Sequence, residues 1–222
     1  MRYIPKGPEP RSLLTYRLTP HATYAGLPQD VKEALRERLV REQGFLCCYC
    51  MQRIEPEAEG MKIEHWASQS NPSTHHRELE WKNLLGACKG GECSPQRQQH
   101  CDTHKGDTPI TLNPTEEGCE RFVHFLGDGT IRSDDSAINE DLDRTLNLNQ
   151  ARLKNNRKAV LDAFLQAMRR KYPPGATWTD TAMRRELEGL RQPDANSRLT
   201  EYCQVPVYWL MKRMGRHVGT QP

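Results

Sequence analysis

Cysteine spacing constrains the fold of this chain more than any other feature. Cys47 and Cys50 are separated by two residues, and three more of the eight cysteines lie in segment 88–101, namely Cys88, Cys93 and Cys101. Segment 88–106 consists largely of Gly, Gln, Cys and His and has no hydrophobic period. Bonds to a ligand, rather than packing, must therefore hold this segment.

Composition favours the same interpretation. Only 36% of the 222 residues are hydrophobic and 27% are charged, so a metal ion would usefully supplement a small core. No apolar run is long enough to cross a bilayer, and the first six residues lack an apolar signal region. This predicts a cytoplasmic protein without a membrane partner. Clustered cysteines in a reducing compartment favour metal ligation, whereas a hidden export route would favour a disulfide framework.

Two close-spaced pairs of thiolates match tetrahedral zinc. Cys47 and Cys50 form the first pair, and Cys88, Cys93 and Cys101 are all available for the second. A zinc ion held by four protein ligands cannot activate water. The predicted ion is therefore structural and supports folding of the Gly-rich middle of the chain.

The other cysteines leave alternatives open. Cys93 is a rival for the second pair, and Cys119 lies close enough along the chain to complete the site. Cys48 and Cys203 are interpreted as non-ligands. Scattered reduced thiols remain the simplest alternative to any metal site.

Other residues able to do chemistry lie between and just after these cysteines in a fixed order: Ile63-Glu64-His65-Trp66, then Trp81-Lys82-Asn83-Leu84-Leu85, then His100-Cys101-Asp102-Thr103-His104-Lys105-Gly106. A Cys-x-x-Cys, an acidic residue beside a His, an Asn before an apolar pair, and a final Cys and His before a Lys together resemble an HNH endonuclease. We therefore expect an α+β fold with a zinc-stabilised ββα-metal core and a helical carboxy-terminal extension.

The resemblance also implies roles for individual residues. In many HNH domains a second Cys pair directly precedes the final motif residue. We therefore choose Cys88 and Cys101 as the second zinc pair, although an insertion separates them here. Glu64 would hold a divalent hard cation, Mg²⁺ or Mn²⁺, and His65 would take a proton from water. Asn83 would hold the His65 loop or orient its ring. Lys105 would contact phosphates. The expected reaction is phosphodiester hydrolysis that leaves a 5′-phosphate and a 3′-hydroxyl.

The third motif position departs from the family pattern. The last His or Asn of the family usually follows its Cys directly, but that slot holds Asp102, and His104 lies two residues later. We expect His104 to be the catalytic third residue and the second metal ligand. Asp102 is the next candidate for this position, and His100 is a weaker one. Taken singly, each His is more often a surface or capping side chain.

A narrower resemblance rests on six stretches: Lys6-Gly7-Pro8-Glu9-Pro10, the run from Glu42 to Cys50, Ile63-Glu64-His65, Trp81 to Leu85, His100 to Gly106, and Cys119-Glu120-Arg121-Phe122. They are similar to the HNH subunit of Septu-type and retron-associated anti-phage defence systems. The resemblance covers roughly the first 130 residues. It implies an ABC-type ATPase partner, in some systems a reverse transcriptase with its noncoding RNA and DNA, and a role in antiviral defence.

Three regions are expected on this basis. Residues 1–27, rich in Pro and Gly, form an extended arm that docks a partner. Residues 28–132 form the zinc-bound nuclease core, with a helix from Asp30 to Gly44, a strand through 61–66 and a hairpin over 122–131. Asp30 is expected to cap that helix, and Val31, Leu35 and Leu39 form its apolar stripe. Residues 143–222 form a basic helical region, in which Pro173-Pro174-Gly175 ends a long amphipathic helix.

Charge is unevenly distributed between these regions. From Asp143 onward the chain has 15 Lys and Arg residues against 7 Asp and Glu residues, and the remainder has 17 against 22. A basic carboxy-terminal region suits a surface that follows nucleic-acid phosphates. The alternative is that these cations only form the solvent-exposed faces of helices. The rival function is a catalytically silent zinc module that binds nucleic acid or serves assembly.

Overall fold

The computed structural model describes residues 1–172 and 178–218. Its helices are α1 (Arg11–Arg17), α2 (Gln29–Glu42), α3 (Asp102–Lys105), α4 (Ser136–Glu140), α5 (Ala151–Lys171), α6 (Asp180–Arg191) and α7 (Gln204–Val218). Its strands are β1 (Lys62–His65), β2 (Leu84–Ala87), β3 (His124–Phe125) and β4 (Ile131–Arg132). Helices and small antiparallel sheets make the fold α+β. No helix in the described ranges is long and apolar enough to cross a membrane.

The sheet that carries the candidate catalytic residues is the pair β1–β2. The strands are antiparallel, with Glu64 opposite Leu85 and His65 opposite Leu84. All four residues of β2 are buried. The side-chain amide of Gln43, just after α2, donates to Gly86 O (2.8 Å) and accepts from Gly86 N (2.7 Å). This pair of bonds ties the end of α2 to the centre of β2.

Helix α2 confirms the apolar stripe expected from the sequence. Val31, Leu35 and Leu39 are buried. The helix begins at Gln29 after Pro28, so Asp30 lies in the first turn and does not cap the helix. Past its end, Gly44 has φ +62°, the left-handed conformation that favours glycine.

The amino-terminal segment differs from the expected extended arm because Arg11–Arg17 is helical. The residues before α1 pack on the protein's own core. Lys6 Nζ donates to Leu84 O (3.0 Å) and lies 3.3 Å from the centroid of the Trp81 ring. Trp81 Nε1 in turn donates to Gly7 O (3.0 Å). The start of the arm therefore supports β2.

The hairpin and the carboxy-terminal helices follow the predicted pattern. Strands β3 and β4 pair antiparallel across residues 126–130. Helices α5, α6 and α7 share a small apolar cluster centred on Met168, Met183 and Leu210. The predicted helix stop at Pro173-Pro174-Gly175 lies outside the described residues.

Candidate metal centre and catalytic site

Four buried cysteines converge within the core of the protein. The ligand atoms of Cys47, Cys50, Cys88 and Cys101 all lie within 4.8 Å of one another. The Sγ atoms of Cys47 and Cys101 are 3.8 Å apart, and those of Cys50 and Cys88 are 3.7 Å apart. A regular tetrahedron with Zn–S bonds of about 2.3 Å has sulfur–sulfur edges of about 3.8 Å. The cluster therefore has the residue types and the dimensions of a structural zinc site.

The local backbone brings these cysteines into position. The amide of Met51 donates to Cys47 O (3.1 Å), which closes the first turn. Cys101 has φ +55°, and its amide donates to Leu146 O (2.9 Å). Gly90, with φ +56°, accepts from the His100 amide (2.9 Å), and a Cβ there would lie 2.1 Å from His100 O. Only glycine fits that approach.

The thiols influence one another strongly. Burial raises the pKa of Cys50 and of Cys101. Burial acts in the same direction on Cys47, but contacts with the neighbouring thiols, first among them Cys101, outweigh it and hold the pKa of Cys47 well below its usual value. A bound cation would stabilise the thiolate form of the whole set.

The remaining cysteines lie outside the cluster. Cys93, the rival ligand, is exposed. Cys119 is buried, but its sulfur contacts Pro114 O at 3.8 Å. Cys48 and Cys203 are buried and belong to no group of potential metal ligands in the described part of the chain.

His100 lies directly beside the cluster. Its Nδ1 is 3.2 Å from Cys101 Sγ, and its Nε2 is 2.9 Å from a guanidinium nitrogen of Arg152. Because guanidinium only donates, Nε2 accepts and Nδ1 carries the proton towards the sulfur. Burial lowers the pKa of His100. The residue thus bridges the cluster to helix α5, a contact that sequence spacing does not reveal.

Glu64 is almost fully buried beside the cysteine turn. Its Oε1 accepts from the Tyr49 hydroxyl (2.7 Å) and from Lys105 Nζ (2.8 Å). Burial raises the pKa of Glu64 and the neighbouring Asp102 raises it further, whereas Lys105 lowers it. The carboxylate of Asp102 is itself 3.7 Å from Lys62 Nζ. Two neighbouring carboxyl groups supply the oxygen donors that a hard cation prefers.

His65 follows Glu64 at the end of β1 and is held from two sides. Its Nε2 lies 3.0 Å from Glu78 O, and the Tyr24 ring packs edge-on at a centroid distance of 4.4 Å. Because a carbonyl only accepts, Nε2 carries the proton and Nδ1 is the basic nitrogen. Burial lowers the pKa of His65, with the Glu78 carbonyl opposing the shift. The neutral ring can therefore accept a proton at Nδ1.

Asn83 is fully buried and bonds to the chain just after His65. Its Oδ1 accepts from Ala67 N (2.8 Å), and its Nδ2 donates to Ala67 O (3.0 Å) and to Arg77 O (3.1 Å). The amide thus holds the end of β1 against the segment that follows it. This is the geometry of a residue that positions the His65 loop.

Helix α3 separates the two candidates for the third motif position. Asp102 and Lys105 are three residues apart and share one face, towards Glu64. His104 lies on another face, where its Nδ1 contacts Thr145 O (3.1 Å). Glu64, Asp102 and His104 form no group of potential metal ligands within the described ranges, where the four-cysteine set alone meets that test. The geometry favours Asp102 over His104, opposite to the order expected from sequence.

Lys105 also differs from its expected role. The residue is 2% exposed, and its ammonium contacts Glu64 and His65 O (3.2 Å). In this arrangement it neutralises a buried carboxylate and does not face a phosphate-binding surface. Sequence spacing also missed Tyr49, although its place inside the cysteine turn, next to Cys50, was a usable signal.

Comparisons with known proteins point to one class. No family model matches the chain. Two curated relatives nevertheless support the resemblance drawn from the motif order, namely an HNH endonuclease family linked to retrons. The first is "Retron Ec83 putative HNH endonuclease" of Escherichia coli, 28% identical over 169 residues, with 59% of this chain and 65% of that protein covered.

The second relative is "Retron Vc95 putative HNH endonuclease" of Vibrio cholerae serotype O1 biovar El Tor. It is 25% identical over 149 residues, with 64% of this chain and 70% of that protein covered. The match to the first relative thus spans just under two thirds of that protein's length.

Proposed function

We propose that this protein is a metal-dependent HNH endonuclease that hydrolyses phosphodiester bonds in DNA or RNA. The observation that carries the proposal is the placement of Glu64, His65, Asn83 and Asp102 around the end of β1, beside a four-cysteine cluster of zinc dimensions. Strands β1 and β2 with helix α3 would form the ββα-metal core.

The cluster formed by Cys47, Cys50, Cys88 and Cys101 would hold zinc as a structural ion. All four protein ligands are thiolates, so no position remains for water. Zinc would join the turn after α2 to the Gly-rich segment before α3, where apolar packing is sparse. This assignment accords with reduced thiols and a cytoplasmic location.

At the catalytic position, Glu64 and Asp102 would bind Mg²⁺ or Mn²⁺ through carboxylate oxygens. When bound, that ion relieves negative charge on the scissile phosphate and the leaving oxygen. His65 Nδ1 accepts the proton of the attacking water, because its Nε2 is already committed to Glu78 O. Asn83 holds the His65 loop through Ala67 and Arg77.

Nucleic acid would meet the exposed arginines of the carboxy-terminal helices rather than Lys105. Two lysines of α5 are already ion-paired. Lys154 contacts Asp128 (2.9 Å), and Lys171 contacts Glu186. The exposed cations of α5 and α6 that join no ion pair among the described residues include Arg169, Arg170, Arg184 and Arg185. These are available to phosphates, and salt should weaken such contacts.

We further propose a role in anti-phage defence, supported by the retron names of both relatives and by the similarity to Septu-type systems. The partners would be an ABC-type ATPase and, in a retron, a reverse transcriptase with its noncoding RNA and DNA. Residues 1–7 support the core, so docking within the arm would use α1 and its end. Leu14 and Leu18 are exposed there, at 38% and 75%.

Replacing His65 tests the enzymatic proposal. Purified wild-type protein, with any co-purifying partner, is incubated with labelled DNA and with total RNA, with and without Mg²⁺. His65→Ala should lower cleavage by about 10²–10⁴-fold, because the general base is lost. His76→Ala, an exposed histidine of the same protein, serves as the control and should retain cleavage.

Zinc content and nucleic-acid binding are measured on the same samples. Cleavage by His65→Ala equal to that of wild type would remove His65 from the mechanism. Binding without cleavage in the wild-type complex would instead favour a catalytically silent zinc module.

A further inference from the structure

Tyr49 lies inside the cysteine turn and points away from the thiol cluster. The residue is fully buried and directly precedes Cys50. Its hydroxyl donates to Glu64 Oε1 at 2.7 Å. One residue thus connects the candidate structural zinc site to the carboxylate proposed for the catalytic cation.

The two donors on Glu64 contact the same oxygen. Tyr49 Oη and Lys105 Nζ both bond to Oε1, and Oε2 has no hydrogen-bond donor among the described residues. Two bonds to one oxygen restrict the rotation of the carboxylate, because turning it would break both. Oε2 is thereby held in a single direction as the free oxygen.

The turn that carries Tyr49 is rigidly attached to the sheet. Cys48 N donates to Gly86 O (3.0 Å), and Gln43 Nε2 donates to Leu46 O (2.7 Å) and to Gly86 O (2.8 Å). Gly86 lies in β2, next to Leu85, the register partner of Glu64. The cysteine turn and Glu64 are therefore held in fixed positions relative to each other.

We propose that Tyr49 is a positioning residue that aims Glu64 Oε2 at the catalytic cation and couples the structural zinc site to it. The proposal rests on the proposed function. Zinc would then support the cation site through a hydrogen bond as well as through the fold, because the cysteine turn sets the position of the hydroxyl.

Tyr49→Phe tests this coupling with Mn²⁺ as the probe. The variant keeps the buried ring and removes only the hydroxyl. Mn²⁺ binding to the zinc-loaded full chain is measured by electron paramagnetic resonance, and zinc content and melting temperature are recorded on the same samples. Loss of a residue that orients a ligand typically weakens metal affinity by about 10–100-fold, and we expect a loss in that range.

Two controls separate this role from a general packing effect. Tyr202→Phe removes another tyrosine hydroxyl, one that accepts from Asn156 (3.0 Å), and should leave Mn²⁺ affinity unchanged. Glu64→Gln should abolish the site. Wild-type Mn²⁺ affinity in Tyr49→Phe, with binding still lost in Glu64→Gln, would overturn the coupling while the proposed function stands. Absence of Glu64-dependent Mn²⁺ binding in the wild type would instead remove the proposed function.

A fluorinated tyrosine at position 49 provides a second test if Tyr49→Phe loses zinc or melts below the Tyr202→Phe control. The fluorinated ring keeps the hydroxyl but donates more strongly, so the proposal expects a changed Mn²⁺ affinity at unchanged zinc content. An affinity equal to that of the wild type would overturn the proposal.

Discussion

Arg152 on α5 donates a hydrogen bond to His100 Nε2 across 2.9 Å, and His100 in turn directs its Nδ1 at Cys101 Sγ, 3.2 Å away. A basic helix far along the chain is thus connected to the cysteine cluster through one imidazole. A tetrathiolate that holds Zn²⁺ has a net charge of −2, so a positive group at this distance is favourable. The contact suggests that the carboxy-terminal region contributes to metal retention.

Replacing Arg152 should therefore weaken metal retention. We expect Arg152→Met to lose zinc to a chelator about tenfold faster than wild type, because the His100 ring loses the donor that sets its tautomer. Release is followed with a colorimetric zinc indicator. Arg169→Met, an exposed arginine of the same helix, is the matched control. Equal release rates in the two variants would show that Arg152 plays no part.

Asp102 and His104 are predicted to differ in their effect on the hard-cation site. Asp102→Asn should weaken Mn²⁺ binding at least about tenfold, because a carboxylate beside Glu64 is lost. His104→Asn should leave binding close to that of wild type, because its ring faces Thr145. Titration of both zinc-loaded variants with Mn²⁺ decides the matter. The opposite ranking would restore His104 as the third motif residue.

Gly44 is predicted to be intolerant of a side chain. Its φ of +62° disfavours L-residues, and a Cβ would lie 2.6 Å from Leu199 Cδ1. Gly44→Ala should lower the free energy of unfolding by about 1–3 kcal/mol, measured by urea denaturation with zinc present.

Gly189→Ala is the matched control for Gly44→Ala. Gly189 lies in α6, and beyond its chain neighbours and the local helix backbone no atom lies within 4 Å of the added carbon. The substitution should stabilise by about 0.5–1 kcal/mol, because alanine restricts the unfolded chain and favours a helix. A loss of stability similar to that of Gly44→Ala would contradict the steric argument.

Lys6 gives a pH-dependent prediction. Burial lowers the pKa of Lys6 to about 8, although Glu42 opposes the shift. The folded state therefore binds fewer protons than the unfolded state between about pH 8 and 10.5, the ordinary pKa of a lysine. Stability should rise with pH across this window, by up to about 3 kcal/mol for this one group.

Lys6→Met isolates that contribution from the other groups that titrate at alkaline pH. The free energy of unfolding of wild type is compared with that of Lys6→Met at several pH values from 7.5 to about 10.5. The free energy of unfolding of wild type minus that of Lys6→Met should increase as pH rises. A difference independent of pH would show that Lys6 keeps its proton throughout the window.

Much of the local structure followed from the sequence because it depends on neighbours along the chain. The apolar stripe of α2 placed Val31, Leu35 and Leu39 in the core. The short spacing between Cys47 and Cys50 allowed a single turn to bring both sulfurs together. The order of the motifs placed Glu64 and His65 at a strand end and indicated the class of protein that the relatives support.

Only the tertiary structure decided which groups meet across the chain. The orientation of α3 directs Asp102 and Lys105 towards Glu64, whereas His104 contacts Thr145. The spacing of these residues along the chain does not predict how the helix is rotated about its axis. The bond from Tyr49 to Glu64 crosses 15 positions. Such contacts depend on how strands and turns pack in three dimensions, whereas a sequence motif records only their order.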